Sequence, residues 1–366
     1  MRKTTFFTVG PSELYFTAEM HLKEALRRQI PSMSHRGTAF QSLYRHAAGH
    51  LRELLNLPES YYILFLSSGT EAWERILQSC VEKRSCHLVN GAFSKRFAHT
   101  AKELCLETEL IEAPDGSCCE PKSMLLSNDS ELIALTYNET STGAMQPASD
   151  IADLRKAFQD TLLAVDVVSA TPYLTFDVEQ VDSLFFSVQK GFGLPAGLGV
   201  WIVNERCLSK AVKKQEKEMS LGSYHSLPGL IEKAEGYETP ETPNVLGIYL
   251  LGKIAEEMNL KGAAQIRKET EQKAAILYQA IEDCAYLAPF VKEKKWRSKT
   301  TLVAELQDVA YHKPLMDYLS SQHLEVSSGY GKYKDQHIRI ANFPAHSKEQ
   351  VERLADALLA FKKVEV

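Results

Sequence analysis

Short apolar runs that alternate with amphipathic segments between residues 61 and 203 constrain the fold most strongly. Such runs suit buried strands, and the segments between them are long enough for helices. Parallel strands need crossover helices of this kind, which then cover both faces of the sheet. We therefore predict an α/β fold with a mostly parallel, seven-stranded type of sheet. The apolar runs are YYILFL (61–66), HLVN (87–90), LIALTY (132–137), LLAVD (162–166), LFFSV (184–188) and GVWIV (199–203).

The alternation ends near residue 240, and longer amphipathic segments follow it. Their periodicity predicts two long helices within residues 244–284, and strands with further helices after them. A length of 366 residues is typical of two domains. We predict a large α/β domain at residues 11–245 and a smaller C-terminal α+β domain at residues 246–366, with residues 1–10 packing near the small domain.

Composition and charge exclude several classes of function. A net charge of −5 without a basic tract argues against nucleic-acid binding. The seven cysteines are odd in number and lack Cys-x-x-Cys spacing, which favours a reducing compartment over a disulfide framework or a structural zinc site. No His-Glu-x-x-His signature is present, so we expect no metal. Neither a leader peptide nor a membrane-spanning run is apparent, and we expect a cytoplasmic protein without membrane contact.

Polar residues follow the predicted strands at the edge of the sheet where ligands of α/β proteins bind. Ser67–Glu71 opens a helix after the first strand, Asn138–Gly143 follows a later strand, and Asp166 and Lys190 each end one. Each feature alone also has a structural explanation: a capping box, a turn, a cap residue or a solvated lysine.

A glycine-rich stretch after Lys190 matches the loose dinucleotide-binding pattern, Gly191-x-Gly193-x-x-Ala196. That pattern requires a helix to follow, but here Pro195 interrupts it and a strand-like segment comes next. We therefore exclude a nicotinamide site, and the absence of GxxxxGK[ST] excludes a P-loop nucleotidase.

Taken together, these residues suit pyridoxal phosphate chemistry. A helix N-terminus can hold a phosphate, and a lysine amine can bond covalently to the cofactor. Asp166 can keep the pyridine nitrogen protonated, so that the ring withdraws electrons. Arg339, in the segment HIRIANFP (337–344), can bind a substrate carboxylate through two parallel hydrogen bonds.

The sequence resembles the class V, fold-type I pyridoxal-phosphate aminotransferases, and within them the phosphoserine aminotransferases. The resemblance spans most of the chain, and the order and spacing of its motifs are more specific than any single motif. The motifs that carry it are FTVGPSELY (7–15), SHRGTAF (34–40), FLSSGTEAW (65–73), YNETSTG (137–143), VDVVSA (165–170), SVQKGFGLPAGLG (187–199), TPNVLGIYLLG (242–252) and GYGKYKDQHIRIANFP (329–344).

The resemblance implies a role for individual residues at matching positions. Lys190 matches the lysine that bonds to the cofactor, and Asp166 matches the acid at its ring nitrogen. Arg339 matches the arginine that binds the substrate α-carboxylate. The implied cofactor-binding residues are Gly69, Thr70, Phe93, Thr140, Asp166, Gln189, Lys190 and Thr242. The implied substrate-binding residues are His35, Arg36, Arg339 and Lys332.

In the family, Thr242 matches a residue that reaches the cofactor phosphate of the neighbouring subunit, and His35 and Arg36 match a basic pair that binds the distal anion of the substrate. The resemblance therefore implies a homodimer with shared active sites, whose substrates are small amino acids and 2-oxo acids.

The chain departs from the family pattern at several positions. Phe93 replaces a tryptophan, Thr70 stands where many members carry an arginine, and Glu241 replaces an asparagine. Lys332 and Tyr333 occupy the place of a His-Arg pair. These departures leave the cofactor chemistry intact and concern substrate recognition.

The expected reaction interconverts phosphoserine and 2-oxoglutarate with 3-phosphohydroxypyruvate and glutamate. The alternative is an aminotransferase for small substrates, of the alanine–glyoxylate or serine–pyruvate type, which needs no distal arginine. A cysteine desulfurase is disfavoured because no cysteine follows Cys284.

Overall fold

The computed structural model describes residues 3–361 except 122, 123, 125 and 128. The strands are β1 (Thr5–Phe7), β2 (Tyr61–Leu66), β3 (Arg84–Val89), β4 (Glu107–Glu112), β5 (Leu132–Thr136), β6 (Asn138–Glu139), β7 (Ala144–Met145), β8 (Leu162–Asp166), β9 (Ser183–Ser187), β10 (Gly199–Asn204), β11 (Leu287–Pro289), β12 (Thr301–Leu306), β13 (Leu324–Ser328) and β14 (His337–Ala341).

Helices connect these strands and cover the sheets. They are α1 (Ala18–Arg27), α2 (Thr38–Leu54), α3 (Gly69–Cys80), α4 (Ala92–Glu103), α5 (Ala148–Ala157), α6 (Glu205–Glu216), α7 (Leu227–Glu235), α8 (Val245–Lys261), α9 (Ala263–Asp283), α10 (His312–Ser321) and α11 (Lys348–Ala360). None of these described helices is both long and apolar enough to cross a membrane.

The large sheet has seven strands in the order β2-β10-β9-β8-β5-β3-β4. Strand β10 runs antiparallel to both of its neighbours, and the other strands are parallel to one another. The prediction of a mostly parallel sheet is confirmed. The carboxyl ends of β5, β8 and β9 meet at one edge of the sheet.

Both faces of this sheet are buried, because successive side chains of a strand point to opposite faces. In β2, Ile63 and Phe65 join a core that includes α2 and α8, whereas Leu64 and Leu66 join a core that includes α3, α4, α6 and α7. Such double burial explains why the strands read as continuous apolar runs.

A second sheet of five strands has the order β1-β13-β14-β12-β11. Its core contains apolar residues of α9 and α11, whereas those of α8 lie in the core of the large sheet. Strand β1 pairs in parallel with β13, so the chain begins in the sheet that its C-terminal part builds. The domain boundary at 245/246 stays a prediction. At the two ends of the chain, residues 1–2 and 362–366 lie outside the described residues.

The structure differs from the sequence expectations at the edge of the large sheet. Strand β4 was not predicted, because its sequence ETELIE carries charged residues on a largely solvent-facing edge. Helix α3 begins at Gly69, within the segment Ser67–Glu71 from which a helix was expected, because the Ser68 hydroxyl accepts a hydrogen bond from the Glu71 N–H at 3.1 Å and caps the helix.

Candidate active site

A cavity of about 240 Å³ lies at the carboxyl ends of β5, β8 and β9, where Thr136, Asp166 and Ser187 end their strands. It contains seven of the residues that the sequence proposes for cofactor and substrate. The lining residues are Val9, Gly10, Thr70, Trp73, Phe93, Thr136, Asn138, Thr140, Asp166, Val168, Ser187, Gln189, Lys190, Ser327, Tyr330 and Arg339.

Lys190 lines the cavity and is buried. Its Nζ donates to Thr140 Oγ1 at 3.1 Å and lies 5.3 Å from the centroid of the Phe93 ring. Burial lowers the pKa of the amine to about 8, against the opposing attraction of Asp166 and Glu139. An amine with such a pKa is partly unprotonated near neutral pH and is therefore a nucleophile.

The N-terminal segment packs closely on Lys190. A side chain at Gly10 would place its Cβ 2.8 Å from Lys190 Cε, and this glycine has a φ of +146°. Glycine is therefore required at this position, both for the backbone conformation and for the space that the lysine occupies.

Asp166 is fully buried, and both of its carboxyl oxygens accept hydrogen bonds. The Val168 N–H donates to Oδ1 at 2.9 Å, and Trp73 Nε1–H donates to Oδ2 at 3.1 Å. Burial raises the pKa of Asp166 to about 6, although these hydrogen bonds and the nearby Lys190 oppose the shift. A cationic ring nitrogen beside this carboxyl would favour its charged form.

Glu139 organises the wall that carries Thr140 and Phe93. Its carboxylate accepts hydrogen bonds from the Ser94 N–H at 2.9 Å and from Ser141 Oγ at 2.6 Å. A Cβ at Gly91 would lie 2.4 Å from Glu139 Cγ, so a glycine is needed where α4 begins. The loop after β5 and the first turn of α4 are thereby held together.

The first turn of α3 closes another side of the cavity. The Gly69 N–H donates to Ser187 Oγ at 2.7 Å, and a Cβ at Gly69 would lie 2.8 Å from Val168 Cγ2. Gly69 therefore permits close contact between the helix and the sheet, while Thr70 lines the cavity. The N-terminus of a helix favours a phosphate group at this end of the cavity.

Arg339 enters the cavity from β14 and is largely buried, which lowers its pKa to about 10. Its Nε–H donates to the Ser328 carbonyl at 2.8 Å, and its guanidinium carbon lies 5.4 Å from the Tyr330 ring centroid. Within the described residues, no group accepts a hydrogen bond from its Nη atoms, so they are available to a ligand.

Five predicted residues do not line this cavity: Gly69, which adjoins it through Thr70, and His35, Arg36, Thr242 and Lys332, which lie apart from it. Arg36 Nη1 donates to Glu238 at 3.0 Å and to the Thr239 carbonyl at 2.8 Å. Its Nη2 donates to the Pro240 carbonyl at 3.0 Å. Arg36 is therefore bound to the loop that carries Thr242, and both lie apart from Lys190 of the same chain.

Lys332 also lies outside the cavity, in a neighbouring one of about 550 Å³ that shares Tyr330 with it. Its Nζ is 2.7 Å from Asp115 Oδ2, and Tyr333 Oη donates to the same carboxylate at 2.8 Å. The side chain of Lys332 is 72% exposed. Such an exposed ion pair contributes little to stability.

Sequence reasoning did not assign roles to Trp73, Glu139 or Tyr330. The motif FLSSGTEAW contains Trp73, but only the packing of α3 shows which of its residues faces Asp166. Glu139 lies in the loop after β5. A charged residue two positions before Ser141 in this loop was the sequence feature that could have indicated its role. Tyr330 lies within a matched segment and contacts Phe93, with the ring centroids 5.2 Å apart.

The cavity suits pyridoxal phosphate in its donor and acceptor groups. It offers an amine for the aldehyde, a carboxyl for the ring nitrogen and a helix N-terminus for the phosphate. Three buried polar atoms in its wall, Thr136 Oγ1, Asn138 Oδ1 and Gln189 Oε1, have no hydrogen-bond partner among the described residues. Buried groups of this kind are expected to bind a polar ligand.

Comparison with known proteins identifies the class to which this fold and site belong. The family model for class-V aminotransferases matches residues 16–354, and the chain belongs to this family. It is a pyridoxal-phosphate-dependent aminotransferase.

Several relatives have a more specific name. A phosphoserine aminotransferase from Cytophaga hutchinsonii ATCC 33406 is 46% identical, with a TM-score of 0.95 and coverage of 98% of this chain and 99% of that chain. The phosphoserine aminotransferase of Rhodococcus opacus (strain B4) is 27% identical over 96% of this chain and 93% of its own. An alanine–glyoxylate aminotransferase from Nostoc sp., 22% identical, shares the fold with a TM-score of 0.82 over 98% of this chain and 95% of that chain.

Proposed function

We propose that this chain transfers an amino group reversibly between O-phospho-L-serine and 2-oxoglutarate, with 3-phosphohydroxypyruvate and L-glutamate as the other pair. The observation that carries the proposal is the 46% identity to the C. hutchinsonii phosphoserine aminotransferase over nearly the full length. In this proposal the enzyme is a homodimer in the cytoplasm and serves serine biosynthesis.

When bound, pyridoxal phosphate supplies an aldehyde that takes up the amino group and a ring that withdraws electrons. Lys190 Nζ, held by Thr140, is placed to bond to a carbonyl carbon and to accept and return a proton. Asp166, held by Trp73 and Val168, is placed to keep a proton on the ring nitrogen. Thr70 and Gln189 are the proposed phosphate contacts of this subunit, whereas the N–H of Gly69, which the sequence also suggested for this role, donates to Ser187 Oγ.

Arg339 is the proposed α-carboxylate site, because its Nη atoms are free for a bidentate pair in a buried location. Its position in β14 alternates with the buried Ile338 and Ile340, so the strand presents one charged side chain towards the cavity. Phe93 and Tyr330 form the apolar wall beside it.

The distal anion of phosphoserine requires a second cationic group, and we assign it to Arg36 and His35 of the neighbouring subunit. Arg36 uses three N–H groups on its own chain, which leaves Nε–H and one Nη2–H for a ligand. Lys332 is a further candidate, since it can exchange Asp115 for a substrate oxygen.

Substitution of each arginine in turn tests which end of the substrate it binds. We expect Arg36→Ala to lower kcat/KM for phosphoserine and glutamate by roughly 30-fold or more, as is usual for loss of one desolvated charge partner, and to leave alanine nearly unchanged. Arg339→Ala should lower kcat/KM for every amino donor, because each has an α-carboxylate. Single-turnover conversion of the bound cofactor, followed by its absorbance, measures both.

A wild-type preference for alanine or serine over phosphoserine would refute this proposal. The same conclusion would follow if Arg36→Ala affected all donors equally. The small-substrate aminotransferase would then be the better assignment.

Mixed dimers test the shared site. One chain carries Lys190→Ala and the other carries Arg36→Ala, so a composite arrangement leaves one of the two sites with both residues intact. We expect about half of the wild-type phosphoserine activity per dimer, whereas sites built within one chain would leave both impaired. Differently tagged chains allow the mixed dimers to be purified for this assay.

A further inference from the structure

A cluster of three charged residues lies outside the cofactor cavity, in a separate cavity of about 280 Å³. His225, at the centre of the cluster, is buried and contacts a carboxylate with each ring nitrogen. Its Nδ1 contacts Glu71 Oε1, and its Nε2 lies 3.0 Å from Glu241 Oε2. Because both nitrogens face carboxylate oxygens, this geometry favours the imidazolium form of the ring, in which each nitrogen donates a hydrogen bond.

The electrostatics of the cluster agree with a charged ring. Burial opposes the charge, but hydrogen bonds to Glu241 and Glu71 raise the pKa of His225 to about 9. Burial alone would raise the pKa of Glu71, yet hydrogen bonds from His225 and Ser67 lower it to about 2. Other than these three residues, Tyr224 is the titratable residue lining this cavity, with its ring centroid 4.2 Å from that of His225.

The two carboxylates belong to segments that carry proposed phosphate contacts. Glu71 directly follows Thr70 in the first turn of α3, which lines the cofactor cavity. Glu241 directly precedes Thr242 in the loop before α8. His225 itself lies just before α7, so it joins two segments that are far apart in the chain.

Additional hydrogen bonds hold the two segments that His225 joins, the first turn of α3 and the loop before α8. Glu71 Oε2 accepts from the Ser67 N–H at 2.9 Å, next to the end of β2. Beyond Thr242, Asn244 Nδ2 donates to the Gly197 carbonyl at 3.0 Å, in the glycine-rich loop after Lys190. A displacement of His225 would therefore loosen the first turn of α3 relative to the loop before α8.

We propose that His225 is a positioning residue for phosphate binding, which fixes Thr70 and Thr242 relative to each other and offsets the negative charge of Glu241 beside Thr242. The inference rests on the proposed function in one respect, the contact of Thr242 with the partner's cofactor. In the dimer each His225 then supports two phosphate sites, through Thr70 in its own subunit and through Thr242 in the neighbouring one.

Cofactor affinity with and without a phosphate tests this role. Apoenzyme is titrated with pyridoxal phosphate and, separately, with pyridoxal, which keeps the aldehyde and ring but lacks the phosphate. We expect His225→Ala to weaken pyridoxal phosphate binding by roughly tenfold, the usual effect of losing a group that orients a ligand-binding residue, and to leave pyridoxal binding unchanged. His99→Ala is the matched control, because His99 pairs with Glu103 at 3.4 Å on an exposed face of α4.

Glu241→Gln provides a second test that keeps the packing of the cluster. In the wild type, a neutral ring above pH 9 presents a lone pair to the Glu241 carboxylate, so phosphate affinity should fall as the pH rises through about 9. The glutamine amide can donate to neutral Nε2, so this alkaline loss should be absent from the variant.

Two results would overturn the inference. One is a His225→Ala enzyme that loses affinity for pyridoxal and pyridoxal phosphate alike, or for neither. The other is an identical alkaline profile of wild type and Glu241→Gln. No amino donor is present in these titrations, so an incorrect substrate assignment cannot produce either result, and the mixed dimers test the shared site separately.

Discussion

Lys190→Ala is expected to abolish nearly all turnover. The variant loses both the amine that bonds to the cofactor and the group that moves a proton, and the proton-transfer contribution alone is roughly 10²- to 10⁴-fold. The visible absorbance of cofactor joined to the protein should disappear as well. Stopped-flow assays with phosphoserine and an absorbance spectrum of the dialysed protein measure the two effects.

Lys273 supplies the matched control for this experiment. It is also a buried lysine, and burial lowers its pKa to about 8, as for Lys190. However, its Nζ donates to the carbonyls of Phe343 at 3.0 Å and His346 at 2.8 Å, away from the cavity. A lowered pKa therefore does not by itself identify the reactive lysine, and Lys273→Ala should lose stability but retain cofactor attachment.

Chemical labelling distinguishes the two lysines directly. Borohydride reduction of the enzyme with its cofactor, followed by proteolysis and mass spectrometry, should place the label on Lys190. A label on Lys273 or any other lysine would show that the assignment of Lys190 is wrong, even if Lys190→Ala were inactive for a structural reason.

The parts of the fold that were predictable from sequence are those with an unambiguous burial pattern. Strands β2, β5 and β9 are buried on both faces, so their apolar runs stand out in the sequence. Strand β4 lies at an edge with charged residues, and Thr5–Phe7 joins Leu324–Val326 across almost the whole chain. Local sequence carries little information about pairing at such a separation.

The active-site residues also fall into those that the sequence could predict and those that only the packed structure reveals. Asp166 and Lys190 end strands, so the position of each in the sequence indicated its place at the sheet edge. The hydrogen bond from Trp73 to Asp166 depends on how α3 is rotated about its axis, and only the packing of the helix on the sheet determines that rotation. Likewise, the pairing of Lys332 with Asp115 joins two loops that no sequence pattern connects.

Asp166→Asn is expected to slow the chemical step while the cofactor still binds. An asparagine keeps the size of the side chain and can accept the Trp73 hydrogen bond, but it supplies no negative charge to a protonated ring nitrogen. Loss of one preorganised electrostatic group at a reacting centre costs roughly 10²- to 10³-fold in kcat. Pre-steady-state conversion of the cofactor by phosphoserine measures this step apart from product release.

Asp166→Asn should raise the stability of the apoenzyme at neutral pH, although it lowers the rate of the chemical step. The carboxyl of Asp166 has a pKa of about 6 in the fold, above its value in an unfolded chain, so its ionisation favours unfolding. Relative to Asp166→Asn, the wild-type apoenzyme therefore loses stability as the pH rises from about 4 through about 6, by roughly 3 kcal/mol for a shift of this size. Asp166→Asn has no such group, and denaturant unfolding at pH 8 should show a more stable apoenzyme than the wild type, with the difference absent at pH 4. Normal turnover of the variant, or a wild-type apoenzyme that gains stability over this pH range relative to Asp166→Asn, would show that Asp166 is not the buried acid at the ring nitrogen.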